Sequence, residues 1–229
     1  TESERPSSLE GPNFMIDRII REAEERSNDS QVLLLHNVAA ILAYMFQDYT
    51  AALNSVDNYL IVLAKTNWKC MVGWGCISFY RGVILVALAR EYSPGRRQRR
   101  LLKQARKILN LIKNLARLCP HHFLHRHTFM DAELKATSRV NKKAVLSLYE
   151  VAIQQASQHG YLHEAAMASE RASEHCKRVW DVSGCIAFLG RAKDMYEEYG
   201  AFANVVRIES LKISFMEETA SLTSQALDT

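Results

Sequence analysis

The chain has 229 residues, 48% apolar and 24% charged, with nine Gly, four Pro and a formal charge of +4. That composition excludes a disordered, collagen-like or disulfide-dense chain, and the shortage of turn formers favours long helices over strands. Length suffices for one large domain or two small ones with a real core.

Residues 1–12, TESERPSSLEGP, carry no hydrophobic stretch and are expected to be disordered, with neither signal peptide nor membrane anchor. Pro12-Asn13 opens the first predicted helix, whose apolar side is Phe14, Ile16, Ile19, Ile20 and Ala23. Ser27-Asn28-Asp29-Ser30 reads as a turn offering N-caps. The following segment, 31–47, is apolar nearly all round and reads as an internal helix. A break at Gln47-Asp48 opens YTAALNSVDNYLIVLAK, and Trp68, Gly73 and Gly75 punctuate the chain before a helix at 76–92. Ser93-Pro94-Gly95 is the clearest loop.

Residues 95–120 then form the most asymmetric segment. Leu101, Ala105, Ile108, Ile112 and Leu115 recur at steps of four, three, four and three, the spacing of one helix face. The opposite side carries nine cations (Arg96, Arg97, Arg99, Arg100, Lys103, Arg106, Lys107, Lys113, Arg117) and no carboxylate, leaving about −5 for the rest of the chain. Pro120 stops the helix. A helix with PHHFLHRH at its head follows, then a turn near Ser138 and four helices at 141–159, 161–179, 182–199 and 201–216. From Glu217 to residue 229 the periodicity fades into a fraying tail or linker.

The later hairpins repeat at an offset of 40. Ile108, Leu148 and Phe188 correspond, as do Ile112, Ala152 and Ala192, and Ala116, Ala156 and Tyr196; Pro120, Gly160 and Gly200 end their helices in the same register. Ala165, Ala166, Ala168, Ser169, Ala172 and Ser173 are small enough for close helix approach. The expected fold is all-α over 13–216: a right-handed α-solenoid of stacked antiparallel hairpins, tetratricopeptide-like, with degenerate units of about 40 residues.

Three patterns are candidates for chemistry. His121 and His125 lie one turn apart, but neither a carboxylate at ligand spacing nor a second cluster completes a tetrahedral site, so no metal or cofactor is expected. Cys70 and Cys76 near Trp68, Trp74 and His36 have no base oriented toward them; the five scattered cysteines read as reduced core residues of a cytoplasmic protein. No phosphate-loop or kinase motif is present, so the chain is not expected to be an enzyme. The basic segment remains, with Arg96, Arg97, Arg99, Arg100, Lys103, Arg106 and Lys107 as candidate partner contacts. It could meet an acidic protein surface or phosphates, or simply be a solvated face near acids such as Glu170, Glu174, Asp194, Glu197 and Glu198. The absence of interleaved aromatics and of a known nucleic-acid fold argues against RNA or DNA.

The run LLKQARKILNLIKNLARLCPHHFLHRHTFMDAELKA (101–136), with its ARLCP, Phe123 and Glu133-Leu134, resembles the helical-repeat region of large signalling proteins. Those proteins join a protein-kinase-like domain, a STAND-type ATPase, a GAF sensor and often a histidine kinase. LYEVAIQQASQHGYLHEAAMASERAS (148–173), GRAKDMYEEYGAFANVVRIE (190–209) and FQDYTAALNSVDNYL (46–60) extend the resemblance to about 30–212, and Leu227-Asp228 resembles the junction to the sensor. Leu118 stands where the family often has Arg, and Asn114 and Ala116 near its usual Trp. The resemblance implies a non-catalytic scaffold that binds a protein segment or relays between neighbouring ATPase and sensor domains, with a homo-oligomer as a further possibility; it carries no activity over.

Overall fold

The computed structural model describes residues 10–11, 14–66, 71–138 and 141–227. Most of the segment expected to be disordered, and Trp68, Cys70 and Asp228, lie outside them. Glu10–Gly11 (β1) and Phe14–Met15 (β2) form a minimal antiparallel pair. Among the described residues every later element is a helix: α1 Ile16–Glu25, α2 Asp29–Met45, α3 Tyr49–Lys65, α4 Met71–Glu91, α5 Arg96–Leu118, α6 Pro120–Lys135, α7 Lys142–Gln158, α8 Leu162–Arg178, α9 Val182–Tyr199 and α10 Phe202–Leu227. The chain divides into two compact units, one ending at Leu118 and one starting at Cys119.

One turn recurs. Ser27, Gln47, Gly160, Trp180 and Gly200 all have positive φ, spaced 20 apart within each group. The residue after each sends its N–H back five positions, to the carbonyls of Ala23, Ala43, Ala156, Cys176 and Tyr196, at 2.8–3.0 Å. This is the Schellman closure, which satisfies carbonyls that a helix end leaves open. All five accepting residues are buried, so each helix end is tied to a core position. Three of the residues that follow the left-handed position then cap the next helix. Asn28, Asp48 and Asp181 accept from the backbone N–H of Gln31, Ala51 and Gly184. A helix plus this turn takes 20 residues, and a hairpin takes 40.

In the first unit the internal helix is α4, not α2. From Ile77 to Ala89 every residue of α4 except Arg81 is buried, whereas α2 exposes Leu34 and Val38. An apolar sequence makes burial favourable, but it does not say which apolar helix sits in the middle. Gly73 and Gly75 lie inside α4 rather than ahead of it; a Cβ on Gly73 would stand 3.2 Å from the Tyr59 hydroxyl of α3. The glycine permits that approach. Phe79, Tyr80, Tyr44 and Tyr49 make edge and tilted ring contacts, joining α2, α3 and α4.

In the second unit the central helix is α8, buried without interruption from Glu164 to Ser173. The six small residues all lie in that run. Helices two apart in sequence are bridged in ascending order. His125 and Glu133 on α6 meet Glu164 and Arg171 on α8; Glu150 on α7 meets Arg191 on α9; Glu170 and Lys177 on α8 meet Arg207 and Glu218 on α10. α10 does not end at Met216 but continues to Leu227. Lys177 holds this extension, at 2.7 Å from Glu218 and 5.1 Å from the Phe215 ring centre.

The left-handed positions give opposite expectations for two substitutions. Gly200→Ala should destabilise by about 1 kcal/mol, because a Cβ is strained there. Trp180→Gly should stabilise by a similar amount, about 1 kcal/mol, since that Trp is 70% exposed and has little packing to lose. Urea unfolding of both variants measures the pair; equal signs would remove the turn argument.

Candidate functional site

α5 is amphipathic as its sequence predicts, but the buried line is centred slightly off the expected stripe, with Leu101, Ile108 and Leu115 only half-buried. Leu102, Ala105, Ile112 and Ala116 are buried, and all nine cations are exposed. Gln98 locks the entry: its amide donates to the Ala89 and Tyr92 carbonyls at 3.0 and 3.3 Å. Arg97 lies 4.0 Å over the Tyr92 ring. A helix rises 1.5 Å per residue, so Arg96, Arg100, Lys103 and Lys107 form one row of roughly 16 Å, flanked by Arg99 and Arg106. Among the described residues none of the nine takes part in an ion pair. Like charges at i,i+3 and i,i+4 repel by about 0.2–0.5 kcal/mol each, a cost that the apolar face offsets. Two of the acids considered as neutralising neighbours are engaged elsewhere: Glu170 with Arg207, Glu174 with Arg171, each at 2.7 Å.

The histidines of PHHFLHRH do not converge. His121 Nδ1 lies 3.2 Å from His159 Nδ1, His122 Nδ1 lies 2.5 Å from the Tyr161 hydroxyl, and His125 Nε2 lies 2.6 Å from Glu164. Among the described residues no three His, Cys, Asp or Glu are grouped as a metal would need. Cys176 and Cys185 are buried free thiols whose burial pushes their pKa values up to about 12 and about 11. Neither is poised as a nucleophile. Cys76 is half-buried, and Cys70 lies outside the described residues.

Sequence reasoning missed two features. One is an open cleft of about 430 Å³ over α2, between α1 and α3, lined by Asp17, Arg21, Glu24, His36, Ile61 and Lys65 among others. Burial lowers the pKa of His36, opposed by Glu24 and Asp17. The other is the set of buried charges around α8. Glu164 accepts one Arg126 Nε–H shared between its two oxygens, each at 3.0 Å, a hydrogen bond from Arg126 Nη2 at 2.7 Å, and the His125 contact. Glu133 accepts from the Tyr149 hydroxyl and lies 3.7 Å from Arg171. Glu170 takes a bidentate pair from Arg207 and a hydrogen bond from Tyr196. A signal was there: each oppositely charged pair stands 37 or 38 residues apart, close to the repeat.

With this geometry described, comparison with protein-family models, curated proteins and solved structures gives no match to the chain.

Burial opposes ionisation of Glu164, but the hydrogen bond from His125 and the charge of Arg126 outweigh it and hold the carboxyl at about 2. A lowered carboxylate pKa stabilises the fold above the ordinary value of 4.5, and that contribution disappears as pH falls through 2. His163 acts in the same direction at higher pH, by a different cause. Burial lowers its pKa from 6.5, so the unfolded chain takes the proton more readily and stability declines as pH falls below that value. Glu164→Gln leaves Arg126 buried without its counter-charge and should cost about 3–5 kcal/mol in urea unfolding at pH 7. His163→Gln should flatten the melting temperature between pH 7 and pH 5. A wild-type stability in that E164Q variant, or an unaltered pH slope in H163Q, would remove these groups from the account.

Proposed function

We propose that the chain is a non-catalytic helical-repeat scaffold, acting in the cytoplasm to hold a protein segment or to relay between a nucleotide-switch ATPase domain and a sensor domain. The observation that carries the reading is the 20-residue turn period, combined with the ascending bridges between helices two apart. A repeat of this kind leaves each helix pair with an unsatisfied flank until a neighbour covers it, which suits extended recognition surfaces. The partner contact is assigned to the exposed cations Arg96, Arg97, Arg99, Arg100, Lys103, Arg106 and Lys107, whose charge nothing on α5 neutralises. Charge complementarity of this sort governs capture and its salt dependence. The resemblance of residues 30–212 to the repeat region of multidomain signalling proteins supports the relay form.

The unpaired cations also support a second reading, contact with nucleic-acid phosphates or another acidic surface. Binding of a labelled duplex by fluorescence anisotropy, falling steeply with salt, would favour it.

An immunoblot of host-cell extract against this domain tests the relay. A product several times larger than 26.1 kDa is expected; a product of about that mass alone would leave the scaffold without ATPase or sensor neighbours in its own chain. Reversal of Arg96, Arg97, Arg99 and Arg100 to Glu should weaken partner capture at least about tenfold at low salt and far less at high salt. Unchanged capture would take α5 out of the site.

A further inference from the structure

α10 carries two apolar faces. One packs inward through Ile208 and Phe215, which are buried together with Asn204. The other looks to solvent: Phe202, Val206, Ile213 and Met216 are between 48% and 66% exposed, and Ala220 is exposed as well. With Glu209 these positions run 202, 206, 209, 213, 216, 220, at steps of four, three, four, three and four. That is a heptad seam over nearly three repeats, the pattern that another helix covers. Scattered exposed apolar side chains need no explanation, but a seam in heptad register does.

We propose that α10 pairs antiparallel with α10 of a second copy of this chain through the Phe202–Val206–Ile213–Met216 seam. A two-fold axis near residue 211 sets Phe202 against the small Ala220 of the other copy and Val206 against Met216. The largest side chain of the seam thereby meets the smallest. The same axis sets Glu209 at the level of Ile213 of the other copy, and the adjacent Lys212 of that copy lies within reach of its carboxylate, twice by symmetry, as an isologous contact requires. Glu209 already has Lys193 on α9 at 3.1 Å, and that cation keeps the carboxylate at the seam edge, where Lys212 of the second copy joins it. Lys212 has no acid partner in its own copy among the described residues. A parallel pair is disfavoured by the same residue, because Glu209 would then face Glu209 across the seam, where like charges repel.

Sedimentation equilibrium of the full chain tests this. The wild type should be a reversible dimer at high-micromolar concentration. Glu209→Lys and Lys212→Glu should each weaken it at least about tenfold. Mixing E209K with K212E should restore dimers, because every cross-copy contact is then complementary, and the double variant should dimerise with itself. Circular dichroism melts check that the substitutions, at the exposed Glu209 and Val206 and the half-buried Lys212, leave the fold intact. Val206→Glu should give monomers. A wild type that stays monomeric overturns the proposal and assigns the seam to a different helix, from a partner or a following segment. A dimer indifferent to both charge variants, or one tightened by E209K alone, overturns the antiparallel arrangement.

Discussion

A carboxylate inside a protein must find a cation or lose its charge, and α8 places two of them where water does not reach. Glu164 and Glu170 lie in a run of ten buried residues. From α8 itself His163 comes only to 3.7 Å of Glu164, and the short contacts come from other helices. Arg126 and His125 come to Glu164 from α6, and Arg207 comes to Glu170 from α10. The second unit can therefore take only registers in which α6 and α10 flank α8 at these heights. Shifting α10 by one turn would move Arg207 by roughly 5.4 Å and strand both charges. Apolar packing of Ala165, Ala168 and Ala172 supplies attraction with little directional demand; the ion pairs supply the demand.

The recurrent turn works on the same problem from the helix ends. A residue in the left-handed region reverses the chain, a Schellman bond closes the old helix on a buried carbonyl, and the next residue begins the new one. Where Gly occupies the position, as at 160 and 200, the backbone is relaxed. At Ser27, Gln47 and Trp180 a side chain is carried in the same conformation, and tertiary packing of the flanking helices holds it. The turn geometry thus belongs to the architecture rather than to any one residue type.

That distinction explains what was legible beforehand. Gly160, Gly200 and Pro120 announce helix ends, and the 3.6-residue period announces α5, so the helical boundaries after residue 95 follow from sequence within a residue or two until α10. Gln47 and Trp180 give no such notice, because neither residue favours positive φ; the turn at 47 was found from its neighbour Asp48. The internal place of α4 could not be separated from that of α2, since both are apolar strings. Of the buried α8 charges only Glu170 entered the sequence reading, as a surface acid, and Glu164 and Arg171 did not, because a single sequence does not separate a wet charge from a core one whose partner stands 37 or 38 residues away. The basic face of α5 was legible because nothing needed to be known about its neighbours.

The two classes of charge mark where the molecule is finished and where it is open. Around α8 the buried carboxylates of Glu133, Glu164 and Glu170 each meet a cation, and Lys177, Arg191 and Lys193 at the surface meet Glu218, Glu150 and Glu209. On α5 nine cations meet no acid among the described residues, so their field extends outward and is weakened by salt, over about 8 Å at physiological ionic strength. A helix whose charges are compensated contributes to stability and says little to a partner. A helix whose charges are not compensated gives up some stability in isolation and gains it back when an anion arrives, which couples partner binding to the stability of the unit that presents it. On that ground the first unit, through α5, is the half of the chain in which an acidic ligand would register as a change in the protein.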